Sequence, residues 1–474
     1  MPKIVPAGLS AKLRPYQIAG VKFLRTHHRA MLCDEMGLGK SAQLIGAAHG
    51  ETLVIAPANV INTDTWTREV AKWATDPSKF SQCSYSNVSQ RDGSKPTLKL
   101  NPLLDRDWDT IVIDESHYLK NAKALRTQVI HKLTKRTENL YLATGTPIPN
   151  WPHEIFTSLQ MIWPEKAGNG QVYGSYWRWV DEWFKTTPSR YSTYGVDIHG
   201  LRACNPTCEN RSPIDPCDHY KHFVAANFGP KFLQRLRDDV LQDLPPLEEV
   251  LVSIPFGAAQ DREYKRMVKD FIATVDDEEV IAWSDGAKNT MLDRMTTGLG
   301  LIANPVSIKD SSKLEMLHED LSERYRPTLV VAHYRSSVEA CAKVARDLGR
   351  SVRVMHGETP QRDRPAIMEQ FQAGQVDVLC GSIETVAEGL TLTAADMIIM
   401  VETSWKPHRN QQVIRRIHRM GQEHPCTLRQ YEAKTKNGKS TLDTRKLKMV
   451  LGKTLIQQRV LTAARFKQML LETD

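Results

Sequence analysis

The chain's fold is decided at Ala30-Met31-Leu32-Cys33-Asp34-Glu35-Met36-Gly37-Leu38-Gly39-Lys40-Ser41, a short apolar run followed by a glycine-rich loop ending in Lys-Ser. That is the order strand, phosphate loop, helix. Gly37 and Gly39 can take positive φ and let backbone N–H groups approach a phosphate. The Lys40 ammonium can reach the β and γ oxygens, and Ser41 can ligate Mg²⁺ at the start of a helix whose dipole favours an anion. The alternative is a chance match.

Two further strand ends argue against chance. Thr110-Ile111-Val112-Ile113-Asp114-Glu115-Ser116-His117 is a β-branched strand ending in two carboxylates, the arrangement in which Asp114 holds Mg²⁺ and Glu115 orients or deprotonates an attacking water. Leu140-Tyr141-Leu142-Ala143-Thr144-Gly145-Thr146-Pro147 ends in small hydroxylated residues where a γ-phosphate could be sensed.

With Leu13-Arg14-Pro15-Tyr16-Gln17 and Gly20, Ile55-Ala56-Pro57, and Thr144 to Asn150, these segments resemble the first motor lobe of the Swi/Snf-type DNA translocases among the superfamily-two helicases. Asp238 to Pro246 is similar to that family's link between lobes, and Leu329 to His333 and His356-Gly357-Glu358-Thr359 to parts of its second lobe. Gln412-Val413-Ile414-Arg415-Arg416-Ile417-His418-Arg419-Met420-Gly421-Gln422 is similar to its arginine-finger helix. The resemblance implies an α/β fold of two RecA-like parallel-sheet lobes, with ATP and Mg²⁺ as cofactors and double-stranded DNA as partner. It implies that Gln17 reads the adenine edge, that Gln412 belongs to the nucleotide site, and that Arg416 and Arg419 stabilise the transferred phosphoryl group. Motif five departs from the usual pattern: Ser382 to Leu392 ends in Gly389-Leu390-Thr391. That ending, with Arg415 before the first finger, looks more like the annealing-helicase branch than the nucleosome remodellers. Gly389 and Thr391 would join DNA grip to hydrolysis.

At 474 residues there is room for two or three domains. The expected division is a first lobe at 1–164, a helical or irregular insertion region at 165–310, and a second lobe with a basic helical tail at 311–474. Apolar residues make up 41% and charged residues 25%, and no apolar run approaches 18 residues. This predicts a soluble, monomeric, intracellular protein, cytoplasmic or nuclear, without signal peptide or membrane span. Eight irregularly spaced cysteines fit a reducing compartment with mostly buried thiols. Of the net charge of +8, residues 311–474 contribute most, with 26 basic against 19 acidic residues. Lys446, Lys448 and Lys453 lie in the steepest part, read either as a solvated helical face or, beside a motor, as phosphate contacts.

Tyr173, Tyr176, Trp177, Trp179, Trp183 and Phe184 crowd together; helical spacing favours a packed core over a base-stacking surface. Cys204, Cys208, Cys217 and either His219 or His222 could supply four ligands to a structural zinc, the alternative being a loop of ordinary thiols. A strand-separating helicase would use the same ATP site but should also carry an inserted wedge or hairpin, and none is recognisable in the sequence.

Overall fold

The computed structural model describes residues 13–455 apart from 63, 90, 93–94, 100, 169, 190–195, 203–219, 241–243, 277, 304–307, 325, 388–390 and 420. The chain forms two compact units. Described residues up to 240, with 453–455, belong to the first, and those from 244 to 452 to the second.

The first unit's sheet contains β1 (Arg29–Leu32), β2 (Thr52–Ala56), β3 (Phe80–Ser84), β4 (Thr110–Asp114), β5 (Asn139–Ala143) and β6 (Phe232–Leu233). All pair in parallel in the order β6-β1-β5-β4-β2-β3. Parallel strands need crossover connections that cover both faces, so their side chains are apolar on both. Alternation along β2 and β4 accordingly sends Leu53, Ile55, Ile111 and Ile113 into one core and Val54, Ala56 and Val112 into another. In the second unit β7 (Leu247–Pro255), β8 (Thr328–Ala332), β9 (Val352–Met355), β10 (Val378–Ser382), β11 (Met397–Met400) and β12 (Cys426–Lys434) form a second parallel sheet, ordered β7-β12-β11-β8-β10-β9. The α/β architecture of two parallel-sheet lobes is therefore present.

The expected division at 164 and 310 is not. The described residues between 165 and 240 belong to the first unit and include β6, and β7 begins the second sheet well before 310. Both strands escape a search for apolar runs for physical reasons. β6 is two residues long, and β7 is an edge strand whose Glu248 and Glu249 face solvent. The aromatic cluster is a core, as its spacing predicts. Tyr173, Trp179 and Phe184 are buried with Phe223, and Asn227 accepts hydrogen bonds from Trp179 Nε1 at 2.8 Å and Tyr173 Oη at 3.2 Å. Trp177 alone of the six is largely exposed. Three two-stranded antiparallel pairings that are not recognisable in the sequence occur among the described residues: Arg91–Asp92 with Lys95–Pro96, Phe184–Pro188 with Val196–Leu201, and Ile272–Val275 with Glu278–Ile281. The five described free cysteines are all buried, and no described helix is long and apolar enough to cross a membrane.

Lys446 is corrected as a phosphate contact. Its side chain is fully buried in the second unit, with Nζ 2.6 Å from Asp293 Oδ1 and 5.6 Å from the Trp405 ring centre. Beside it Lys313, also fully buried, pairs with Asp443 at 2.8 Å. Burial opposes the charge of Asp443, but Lys313 and Lys446 hold its carboxyl below the usual range. Replacing Lys446 with Met leaves buried carboxylates short of a cation, which costs about 3–5 kcal/mol. The expected result is a matching loss in urea-unfolding free energy of the second unit; unchanged stability would show that the pair contributes nothing.

Candidate active site

In an open parallel sheet, ligands bind beyond the carboxyl ends of the strands. β1, β5 and β4 are adjacent, and Leu32 pairs with Ala143, which also pairs with Asp114. This register brings the phosphate loop, the hydroxylated turn and the carboxylates to one edge of one sheet.

Gly37 and Gly39 take φ of +89° and +69°, the left-handed conformation for which glycine is suited. The helix Lys40–Ala47 begins directly after Gly39, so its unpaired N–H groups face the loop. Lys40 Nζ donates to the carbonyl of Asp34 at 2.9 Å and lies 3.4 Å from that of Glu35. Gln17 is brought onto the same loop. Its Nε2 donates to Leu38 O at 3.3 Å, and a Cβ on Gly39 would collide with it. Gly145 lies close by: a Cβ there would strike the Met36 side chain and approach Lys40 Nζ to 3.5 Å.

Asp114 ends β4 half-buried. Trp66 Nε1 donates to Oδ2 at 2.9 Å and the Glu115 N–H to Oδ1 at 3.0 Å. Burial, and then the neighbouring charge of Glu115, push its pKa up to about 6. A divalent cation at this carboxylate would restore the ionised form. Glu115 is non-glycine yet sits at φ +51°, ψ 50°, a conformation costing roughly 1–2 kcal/mol. Its turn brings Glu115 Oε2 within 3.2 Å of His117 Nδ1, while Thr144 Oγ1 donates to the same oxygen at 3.3 Å. Thr144 Oγ1 lies 3.0 Å from His117 Nδ1 and accepts from the Thr146 N–H at 3.0 Å. The second and third strand ends are thus one hydrogen-bonded unit, which sequence spacing alone does not disclose.

Arg235 and Arg237 are the residues that the sequence reading missed. Asp34 is fully buried and its carboxylate accepts from the Arg235 N–H at 3.1 Å, Nε at 2.9 Å and Nη2 at 2.5 Å, and from Gln43 Nε2 at 3.0 Å. Glu35 accepts from the Arg237 N–H at 2.8 Å and pairs with its Nε at 3.3 Å. One signal was available: two acids inside a loop shaped for anions call for cations, and Arg235-Leu236-Arg237 supplies two cations within three residues.

In the second unit the helix Pro407–Ile417 carries Gln412 and Arg416. Gln412 is buried and accepts from Arg409 Nη1 at 3.1 Å. Arg416 is buried too, donating to the Ala387 carbonyl, whereas Arg419 is half-buried beyond the helix end. Gln422 Nε2 donates to the Ala395 carbonyl at 2.8 Å, fastening the turn that follows. Thr391 and Lys448 are exposed; Lys453 is half-buried, and burial pushes its pKa down. Gly389, Cys204, Cys208, Cys217 and His219 lie outside the described residues, whereas His222 lies in the helix Tyr220–Asn227. Among the described residues no group of three or more His, Cys, Asp or Glu could hold a metal ion. A Mg²⁺ site of one carboxylate completed by waters and nucleotide phosphates needs no such group.

The SNF2-related domain matches residues 16–103 and 97–301, and the helicase conserved C-terminal domain matches 312–421. The chain is 28% identical over 472 residues to the DNA annealing helicase and endonuclease ZRANB3 of Bos taurus, covering 93% of this chain and 40% of that protein. It is 24% identical to the ISWI chromatin-remodeling complex ATPase ISW1 of Saccharomyces cerevisiae, covering 96% and 41%. The chain thus spans about two fifths of the length of these relatives. Among solved structures it is similar to the Sulfolobus solfataricus SWI2/SNF2 ATPase core in complex with dsDNA, at 21% identity and a TM-score of 0.40, with 92% and 90% of the two chains covered.

Proposed function

Because the chain belongs to the SNF2-related family, we propose that it hydrolyses ATP in response to double-stranded DNA and uses the cycle to move along the duplex, remodelling or annealing it. The observation that carries this reading is the meeting of Lys40, the Asp114–Glu115 pair and the Thr144–Thr146 turn at the ends of three adjacent strands. Phosphoryl transfer needs positioning and charge stabilisation more than covalent chemistry, and these residues supply both. Lys40 and the loop N–H groups hold the phosphates, Gln17 flanks the base, and Glu115, steadied by Thr144, orients the water. Ser41 and Asp114 would hold Mg²⁺, which neutralises phosphate charge when bound. Arg416 and Arg419 complete the reading as the cations that stabilise the transferred group, while Gly389 and Thr391 serve the DNA side.

The expected result is ATP turnover strongly stimulated by duplex DNA, with displacement of a triplex strand and no unwinding of a blunt-sided duplex. Turnover on duplex, single-stranded and forked DNA and on RNA, measured beside both displacement assays, checks it; robust unwinding, or stimulation by RNA alone, would overturn it. The second reading, strand separation, is favoured by the hairpin Ile272–Ile281, beside which Trp283 is 87% exposed, and unwinding lost on its deletion would establish that reading instead. Of the three tail lysines, Lys448 is the exposed one and so the one suited to meet a phosphate. A structural zinc at Cys204, Cys208, Cys217 and His219 or His222 completes the proposal. Protein purified without a histidine tag should then hold one zinc per chain, and its absence on metal analysis would end that part.

A further inference from the structure

We propose that Arg235 and Arg237 are positioning residues that clasp the phosphate loop to the chain leaving the first lobe, so that displacement of that chain is felt at the nucleotide. The inference rests on the ATPase reading above. Residues 232–237 run alongside 31–35. Phe232 and Leu233 pair with Met31 and Leu32 in the sheet, the Cys33 N–H donates to Leu233 O at 2.7 Å, and the Glu35 N–H to Arg235 O at 2.9 Å. Beyond the last strand pair the two arginines continue the attachment through side chains. Arg235 grips Asp34 with its backbone and both arms of its fork, reaches Gln43 Oε1 at 2.7 Å in the helix after the loop, and donates to the Tyr16 carbonyl beside Gln17. A Cβ on Gly20 would collide with Gln43 Oε1 and crowd Arg235, so the helix carrying Gln17 closes directly over this junction. Arg237 holds Glu35, and its Cδ lies 3.9 Å from where a Cβ on Gly37 would be.

The backbone that the clasp immobilises is the backbone that seats Lys40, whose ammonium is held by the carbonyls of Asp34 and Glu35. Charge-assisted, forked hydrogen bonds to buried carboxylates are short, directional and costly to break. A pull along 232–237 therefore moves residues 34–35, and with them Lys40, rather than slipping past them. Only residues 238–242 separate Arg237 from the start of the second unit at 243. Arg237 itself opens the helical turn Arg237–Val240, so the clasp lies at the base of the chain that continues toward the second unit, and a displacement of that chain reaches residues 34–35 through Arg237. DNA that biases the lobes would in this way alter nucleotide affinity, and by linkage nucleotide would alter DNA affinity by the same factor.

The test uses the full chain and the dissociation constant of a fluorescent ATP analogue with Mg²⁺, with and without a saturating blunt duplex. In the unaltered protein the two constants should differ by at least about 5-fold, the lower end of ordinary coupling. In Arg237→Gln the ratio should fall to within about 2-fold of unity, whatever happens to the affinity without DNA. Glu35→Gln/Arg237→Gln should match the worse single variant, because the two side chains act through each other. Arg235→Lys, which keeps the charge but loses the fork, should lie between; it carries the test if Arg237→Gln does not fold. Ratios like that of the unaltered protein in both variants, even with lowered melting temperatures, would reduce the clasp to packing and overturn the proposal. A ratio near one in unaltered protein that still turns over ATP on duplex would overturn it also, leaving the ATPase reading intact. No turnover on duplex would instead defeat the ATPase reading and this inference with it.

Discussion

Glu115→Gln should lower ATP turnover at least about a hundredfold while ATP analogue and duplex DNA still bind, because a positioned general base contributes about 10²–10⁴ in rate and the amide cannot take a proton. The substitution is nearly isosteric. It leaves Lys40, the loop glycines and Asp114 in place, and the amide oxygen can still accept from Thr144 Oγ1, which donates to the carboxylate at 3.3 Å. Its effect should therefore fall on kcat and spare the dissociation constants. Steady-state turnover on saturating duplex, beside direct binding of nucleotide and DNA, separates the two. Turnover within about tenfold of normal would remove Glu115 from the water-activating role. Weakened binding with normal kcat would point to a contact with the nucleotide instead.

Arg419→Ala should reduce kcat by about a thousandfold at saturating ATP, the lower end of what an arginine finger supplies to phosphoryl transfer. Arg416→Ala should show a similar defect in turnover, but the two variants should part in stability. Arg416 is buried and donates to the Ala387 carbonyl. Its loss leaves a buried acceptor short of a donor, at about 1–3 kcal/mol, whereas Arg419 lies half-buried beyond the helix end. A thermal melt beside the turnover assay distinguishes them. A full-speed Arg419→Ala enzyme would exclude the finger role for that residue, and equal melting temperatures would show that the Arg416 bond contributes little.

Much of this site is legible in the sequence because its chemistry is local. Two glycines that must take positive φ, a lysine three residues beyond the first of them, and carboxylates at the end of a β-branched run are short-range requirements written in nearby residues. So Gly37, Gly39, Lys40, Asp114 and Glu115 are recognisable from their neighbours, and the aromatic cluster around Trp179 from its helical period. Charge counting is less informative. Lys446 looks like its neighbour Lys448 along the chain, yet one is buried against Asp293 and the other is exposed. No local property separates them, because burial is decided by what the helix packs against.

What the sequence by itself determined, then, is the phosphate loop, the carboxylate pair, the hydroxylated turn and the alternation that demands two parallel sheets. The tertiary structure alone decided that β5 lies between β1 and β4, so that all three motifs share one edge. It alone decided that Asp34 and Glu35 are answered by arginines some 200 positions away, and that the middle of the chain divides between the units through β6 and β7. Strand order, long-range ion pairing and edge-strand recruitment depend on which surfaces meet after the chain has crossed over itself. That information is held in the packing of whole elements and in no single stretch of residues.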